Sequence, residues 1–223
     1  MDKKELQNPA LYTNRELSWL LFNKRVLSEA RDKQLLLFER LKFLSITASN
    51  LDEFFMVRIG SLVDMIHAEY TKKDIAGMSA KEQLDALMEE THKFAALQYS
   101  TYNRMLLPQL RANGLNFVEH HEQLTERQAQ YVDEYFEENV YPVLTPMAVD
   151  SSRPFPLIRN KTLNIGALVA KKGEKDTEIE FATVQVPSFC RELCGFRRRR
   201  RGTQRLRCCF WKRSLSATSA SCF

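Results

Sequence analysis

The sequence predicts an α+β protein in which an N-terminal antiparallel helical bundle precedes an incomplete α+β domain. In residues 1–112, four segments carry apolar residues at helical spacing, with short connections between them. In residues 113–188, prolines cluster and two segments alternate apolar and polar residues, as strands do. Residues 189–223 are rich in Arg, Cys and Ser, and we expect this tail to be disordered.

The first two helices are predicted from about 14 to 31 and from about 34 to 46. A capping box of Thr13 and Glu16 indicates the start of the first helix, because each side chain can bond the other residue's backbone N–H. Leucines recur at helical spacing in the second helix. Residues 47–49 are Thr, Ala and Ser, and we expect them to end it.

The third helix is predicted to begin at Ser49 or Asn50 and to fade by Tyr70. Asn50, with Glu53 three residues later, has the pattern of an N-cap. The fourth helix begins at a second capping box, Ser79 with Glu82. Pro108 should kink or end that helix.

The second domain is predicted to open with a strand at Leu115–Val118 and a helix from Thr125 to about Asn139. Four prolines indicate that residues 141–156 have no regular structure. Residues 162–170 and 179–186 alternate as two strands.

Charge and cysteine content divide the chain near Pro187. Of 33 Lys and Arg residues, ten lie from Arg191 onward, together with only one of the 28 acids. All five cysteines also lie beyond residue 189, so the two domains contain no disulfide framework or cysteine-based metal site. No apolar run is long enough to span a bilayer and the N-terminus is no secretory signal, so we expect a cytoplasmic protein.

No local catalytic motif is present: the P-loop, the dinucleotide fingerprint, the nucleophile elbow and the HExxH zinc motif are all missing. His67 and His92 are expected to be surface or hydrogen-bonded residues, and His120 and His121 a pair in a loop, so we assign neither a catalytic residue nor a metal ligand. Asp52 and Glu53 are candidate acid–base carboxylates, but we favour a role in complementing the positive end of a helix.

Two polar residues remain candidates for binding. Asn50 is expected to be a helix cap, yet its amide group would stay free to donate to a ligand at the same time. Arg58 lies in an apolar run; it either extends to solvent and pairs with an acid, or faces a phosphate-bearing ligand.

Three blocks of the first domain and two of the second resemble one family. Residues 16–30 (ELSWLLFNKRVLSEA), 38–46 (FERLKFLSI) and 49–62 (SNLDEFFMVRIGSL) are similar to the N-terminal domain of bacterial polyphosphate kinase. Residues 144–156 (LTPMAVDSSRPFP) and 163–169 (LNIGALV) are similar to the start of its head domain. The resemblance covers about residues 11–187.

The resemblance implies reversible transfer of the terminal phosphate of ATP to inorganic polyphosphate, with Mg²⁺ and a phosphohistidine intermediate. It implies ATP, ADP and polyphosphate as partners and a homo-oligomer; nucleic acid is not expected. Asn50, directly before LDEF, falls on the family's nucleotide-binding position. The phosphorylated histidine and the Mg²⁺-binding residues belong to later domains of the family, so none is assigned to this chain.

The chain is much shorter than the family pattern, and the resemblance stops near Pro187. We expect a truncated fragment that by itself does not transfer phosphate. A shifted reading frame is our hypothesis for the tail, since Glu codons read out of register encode the run Arg197–Arg201. Two alternatives are a non-enzymatic protein that binds a polyanion through this tail, and a helical interaction module without a ligand.

Overall fold

The computed structural model describes residues 5–118, 120–149, 155–169, 180–186, 194–200 and 203–209. The chain divides into two compact units, residues 1–112 and 113–223. The first unit is helical and the second combines helix and strands, so the predicted α+β class is confirmed. In the ranges described, no helix is long and apolar enough to cross a membrane.

The first unit is a bundle whose helices are connected by short segments. Its α-helices are α1 (Arg15–Arg31), α2 (Leu37–Phe54), α3 (Gly60–His67), α4 (Ala80–Ser100) and α5 (Leu107–Ala112). Two π-helical turns, Phe55–Ile59 and Thr101–Leu106, join α2 to α3 and α4 to α5. Pro108 lies in the first turn of α5, directly after the second π-helical turn. The wider turn accommodates the proline, which has no N–H and crowds the preceding turn, so the helix continues to Ala112.

The break predicted at residues 47–49 is wrong, because α2 runs without interruption from Leu37 to Phe54. Thr47 is fully buried; its hydroxyl donates to the Leu44 carbonyl at 2.7 Å and accepts from Gln98 Nε2 of α4 at 2.9 Å. These two bonds satisfy a side chain that would otherwise favour a turn or a cap. Asn50 therefore lies inside a helix and is not an N-cap.

The cap of α1 is Asn14 rather than the predicted Thr13. Its Oδ1 accepts from the backbone N–H groups of Glu16 and Leu17, both at 3.0 Å. Its amide nitrogen donates to Asp74 at 2.7 Å and to Gln83 at 2.8 Å. An amide can cap the helix and bind both neighbours, whereas a threonine hydroxyl has a single hydrogen to donate.

The capping box at the start of α4 is confirmed. The Ser79 hydroxyl accepts from the Glu82 backbone N–H at 3.3 Å, and the Glu82 carboxylate accepts from the Ser79 N–H at 2.7 Å. The Ser79 backbone bond, the Ser79 hydroxyl and the charge of Lys73 lower the pKa of Glu82 below its usual value. The carboxylate thus stays ionised at the positive end of α4.

Apolar side chains from α1, the π-helical turn, α3 and α4 pack around Phe54 near the middle of the bundle. The buried members of this cluster are Leu20, Phe54, Ile59, Leu62, Ala80 and Leu87. The indole of Trp19 stacks on the ring of Phe54, with centroids 4.4 Å apart and planes 11° from parallel. This stack fixes α1 against the C-terminal turn of α2.

The second unit contains two three-stranded sheets and a helix, α6 (Glu126–Tyr135), within the described ranges. The strands are β1 (Leu115–Val118), β2 (Pro146–Val149), β3 (Leu163–Val169), β4 (Glu180–Val186), β5 (Cys194–Arg200) and β6 (Thr203–Cys209). The first sheet has the antiparallel order β2-β4-β3. In the second sheet β6 pairs in parallel with β1 and antiparallel with β5.

Strand β2 corrects the prediction that residues 141–156 have no regular structure. It is an edge strand and begins at Pro146, which pairs with Val184 of β4. Proline is compatible with a sheet at the first residue of an edge strand, where its missing N–H breaks no ladder. The predicted strand β1, helix α6 and strands β3 and β4 are confirmed.

Of residues 189–223, predicted to be disordered, the structure describes 194–200 and 203–209, and the rest of the prediction lies outside the described residues. Residues 194–200 and 203–209 form β5 and β6, and β6 extends a sheet from β1. Backbone pairing with a strand of the preceding domain outweighs the local charge pattern on which the prediction rested. The frame-shift and polyanion hypotheses for this segment stay predictions.

Valines form the core of the second unit. Val118, Val132, Val140 and Val186 are buried together, with Tyr135 and Phe136 packed against them. On β3, a Cβ added to Gly166 would lie 2.9 Å from the Phe181 ring. The absence of a side chain at this position lets the ring lie across the sheet.

Removing the cap of α4 tests the contribution of Ser79 to stability. We expect Ser79→Ala to lower the free energy of unfolding by about 0.5–2 kcal/mol, because one N-terminal N–H loses its acceptor. Ser18→Ala is the control, since Ser18 is exposed inside α1 and should change stability by less than about 0.5 kcal/mol. Urea unfolding followed by circular dichroism measures both, and equal effects would contradict the capping role.

Truncating Phe54 tests the core of the bundle. Phe54 is 2% exposed, so we expect Phe54→Ala to cost about 3–5 kcal/mol of unfolding free energy through lost packing and a new cavity. Phe38→Ala on the same helix is the control, because Phe38 is 64% exposed. Differential scanning calorimetry should show a large drop in melting temperature for Phe54→Ala alone. Similar melting temperatures would mean that Phe54 does not hold the bundle together.

Candidate functional site

A pocket of about 250 Å³ opens where α1 faces the end of α2 and the following π-helical turn. We call it the Asn50 pocket; it is lined by Trp19, Phe22, Asn50, Glu53, Phe54, Val57 and Arg58. Its walls combine aromatic rings with an amide, a carboxylate and a guanidinium group. Small-molecule sites usually enclose roughly 300–1,000 Å³, so this volume suits one part of a larger ligand.

Helical spacing brings the lining residues together. Trp19 and Phe22 lie three positions apart on α1, and Asn50, Glu53 and Phe54 lie three and four positions apart on α2. Residues at these spacings share a helix face. The π-helical turn then adds Val57 and Arg58 to the same pocket. Such turns recur at functional sites because the extra residue per turn changes the direction of side chains.

Asn50 is partly buried and is held by a hydrogen bond to α1. Its Nδ2 donates to Oδ1 of Asn23 at 3.1 Å, and Asn23 Nδ2 donates to the Thr47 carbonyl at 3.1 Å. Asn23 is fully buried, with 0% exposure. The predicted candidate therefore lines the pocket with one amide hydrogen already engaged, although it is not the predicted cap.

Arg58 occupies the pocket wall and shares its acidic partner. Its Nη1 lies 3.5 Å from Glu16 Oε1, while Arg15 contacts the same oxygen at 3.0 Å. Two guanidinium groups thus share one buried carboxylate, and Glu53 is the carboxylate that borders the pocket itself. The pairing of Arg58 with an acid is thus present, and its side chain is 43% exposed. The alternative role, contact with a phosphate-bearing ligand, stays a prediction.

Asp52 and Glu53 do not begin a helix. They lie in the last turn of α2, directly before the π-helical turn, so the favoured interpretation as residues at a positive helix end is wrong. Glu53 lines the pocket and Asp52 is exposed. The two carboxylates do not form an acid–base pair within the pocket, because only Glu53 borders it.

His67 and His92 occupy surface positions, as predicted. His67, His92 and His120 are exposed, and His121 is half-buried with its Nε2 3.0 Å from Asp133 Oδ1. Within the part of the chain that the structure describes, no three His, Cys, Asp or Glu side chains cluster in a way that could hold a metal ion. Mg²⁺ stays an expectation from the resemblance.

A second cavity, of about 400 Å³, lies between α1 and α4 and is lined largely by leucines and Phe94. At its rim, Lys93 contacts Glu89 at 2.7 Å and Glu90 at 2.8 Å. Hydrogen bonds to these two carboxylates raise the pKa of Lys93. Since its charge is balanced by two acids, Lys93 is poorly suited to bind an anionic ligand.

Sequence reasoning missed Trp19, Phe22, Asn23 and Glu16 as parts of the site. The signal was present for the aromatic pair, because Trp19 and Phe22 form a second stripe on α1 beyond the one that faces the core. No local pattern identifies Asn23, since its partners Thr47 and Asn50 lie on another helix.

Two family models match the chain. The polyphosphate kinase N-terminal domain matches residues 12–118, and the polyphosphate kinase middle domain matches residues 127–206. The second match extends past the change in composition near Pro187. The Asn50 pocket lies entirely within the first match.

Curated relatives and a solved structure agree with these matches. Polyphosphate kinase of Lactiplantibacillus plantarum is 52% identical over 176 residues, which cover 79% of this chain and 24% of the relative. That of Halalkalibacterium halodurans is 47% identical over 185 residues, covering 82% and 26%. The crystal structure of polyphosphate kinase from Porphyromonas gingivalis aligns with a TM-score of 0.71 and 27% identity, over 94% of this chain and 31% of that one.

The chain spans about a quarter of the length of the curated relatives it matches. The two family models together account for most of its residues, and the relatives agree with them in name. The chain belongs to the polyphosphate kinase family, whose N-terminal and middle domains it matches.

Proposed function

We propose that the Asn50 pocket binds the base end of ATP or ADP and that the chain serves the polyphosphate kinase reaction. In that reaction the terminal phosphate of ATP passes reversibly to inorganic polyphosphate through a phosphohistidine. The observation that carries the proposal is the position of Asn50, whose amide lines a pocket with aromatic walls. Family membership supports the reaction class.

The chemistry of the pocket suits an adenine nucleotide. An asparagine amide can accept from the amino group of adenine and donate to a neighbouring ring nitrogen. Trp19 and Phe22 supply aromatic surface against which a base can stack. Glu53 supplies acceptor oxygens for ribose hydroxyl groups, and Arg58 supplies a positive charge for a phosphate.

The size of the pocket limits what this chain contributes. A volume of about 250 Å³ suits a base with part of its ribose rather than a whole nucleoside triphosphate. We therefore assign binding and orientation of the nucleotide to these residues, and no step of phosphate transfer. Mg²⁺ would balance phosphate charge when bound, and the resemblance assigns its ligands to later domains of the family. A homo-oligomer and a cytoplasmic location are further parts of this proposal that rest on the resemblance.

The Asn50→Ala variant of this chain tests the proposal. We expect ATP to bind about 30-fold more weakly, because two amide–base hydrogen bonds are lost at about 1 kcal/mol each. Titration with ATP followed by the indole N–H signal of Trp19 in NMR spectra measures the affinity at the pocket itself.

Ser49→Ala is the matched control, because Ser49 is the exposed neighbour of Asn50 on α2 and does not line the pocket. Its affinity for ATP should equal that of the unmodified chain. Thermal unfolding of both variants separates binding from stability. Unchanged ATP affinity in a folded Asn50→Ala variant would refute the proposed function and favour a helical interaction module.

A further inference from the structure

The hydrogen bonds of Asn23 leave its amide group a single orientation. Asn23 Nδ2 lies 3.1 Å from the Thr47 carbonyl oxygen, which can only accept. The amide must therefore turn its nitrogen toward Thr47, and its Oδ1 toward Asn50. Because Asn23 is fully buried, no water competes for either position.

The orientation of Asn23 in turn fixes that of Asn50. Asn50 has to present Nδ2 to Asn23 Oδ1, at 3.1 Å, since a flipped amide would bring two acceptor oxygens together. Asn50 can then offer the pocket one acceptor, its Oδ1, and one donor, its second amide hydrogen. The positions of this acceptor and this donor cannot be exchanged. Among the residues that the structure describes, that Oδ1 has no hydrogen-bond partner.

We propose that Asn23 is a positioning residue that makes the Asn50 pocket selective for 6-aminopurines over 6-oxopurines. The proposal rests on the proposed function, nucleotide binding at Asn50. Adenine carries an amino donor at position 6 beside a ring-nitrogen acceptor. The amino group can donate to Asn50 Oδ1, and the ring nitrogen can accept from the second amide hydrogen of Asn50. Hypoxanthine carries an oxygen at position 6, so the fixed Oδ1 of Asn50 would meet a second acceptor.

The hydrogen bond between Asn50 and Asn23 is essential to this selectivity. An asparagine that rotates freely can exchange its oxygen and nitrogen, and so can donate to the oxygen at position 6 of hypoxanthine as readily as it accepts from the amino group of adenine. Held by Asn23, Asn50 cannot exchange them without leaving a buried acceptor unpaired, which costs more than a hydrogen bond contributes. Asn23 does not line the pocket, and it acts only through Asn50.

A neighbouring hydrogen bond provides a control with the same location but no effect on Asn50. Gln98 Nε2 of α4 donates to the hydroxyl of Thr47 at 2.9 Å, not to its carbonyl. Gln98→Met removes an interhelical bond to the same residue and leaves the pair of asparagines intact. It should destabilise the bundle without changing the choice of base.

The test compares ATP with ITP, which differ at position 6 of the purine, on the whole 223-residue chain. We expect the unmodified chain and Gln98→Met to bind ATP about tenfold more tightly than ITP, as one matched hydrogen bond replaces an acceptor–acceptor contact. In Asn23→Leu the ratio of the two dissociation constants should fall to about one, because Asn50 can then rotate. The Trp19 indole signal again reports binding.

Asn23→Asp provides the rescue. In either protonation state its carboxyl group offers an oxygen to Asn50 Nδ2, so the preference for ATP should return. If Asn23→Leu does not fold, loss of the preference in Asn23→Asp overturns the inference by itself, and its retention supports it.

The possible failures are distinguishable. An unchanged ratio in folded Asn23→Leu, with ATP binding still weakened by Asn50→Ala, overturns the role of Asn23 and leaves the proposed function standing. ATP binding that does not depend on Asn50 overturns both.

Discussion

The buried amide of Asn23 is the constraint on which the arrangement of the site depends. Taking an amide out of water costs free energy unless its donor and its acceptor are both paired. Asn23, fully buried on α1, meets this requirement within the described part of the chain through Thr47 and Asn50 on α2. Both partners must therefore lie on one continuous helix that is close to α1 at this level. The two hydrogen bonds of Asn23 thus depend on an uninterrupted α2 packed against α1, and they set the orientation of Asn50.

Other buried polar groups fix the rest of the bundle. Asn14 makes two hydrogen bonds that cap α1 and two that join its start to Asp74 and to Gln83 of α4. Arg40 of α2 donates to the Ala30 carbonyl in the last turn of α1, where carbonyl groups lack helical partners. These bonds have directions, which apolar packing lacks, so the walls of the Asn50 pocket lie on helices with little freedom to shift.

The sequence predicts those elements whose signals are local. The capping box of Ser79 and Glu82 and the alternation in β3 and β4 depend on residues a few positions apart, and the structure confirms them. The break at residues 47–49 failed because the pattern of Asn50 and Glu53 satisfies a local capping rule while the deciding partners lie on α1 and α4. The two binding candidates named from the sequence, Asn50 and Arg58, both line the Asn50 pocket. Trp19 and Asn23 were not predicted, because their places at the site depend on packing between helices.

A crystal structure of this chain with bound ATP would test the central claim, that a continuous α2 presents an oriented Asn50 to a nucleotide, most directly. We expect adenine in the Asn50 pocket, with its amino group within hydrogen-bonding distance of Asn50 Oδ1. We also expect Asn50 Nδ2 to remain bonded to Asn23, and α2 to stay helical through residues 47–50. A helix that begins at Asn50, or a base bound away from this amide, would contradict the account.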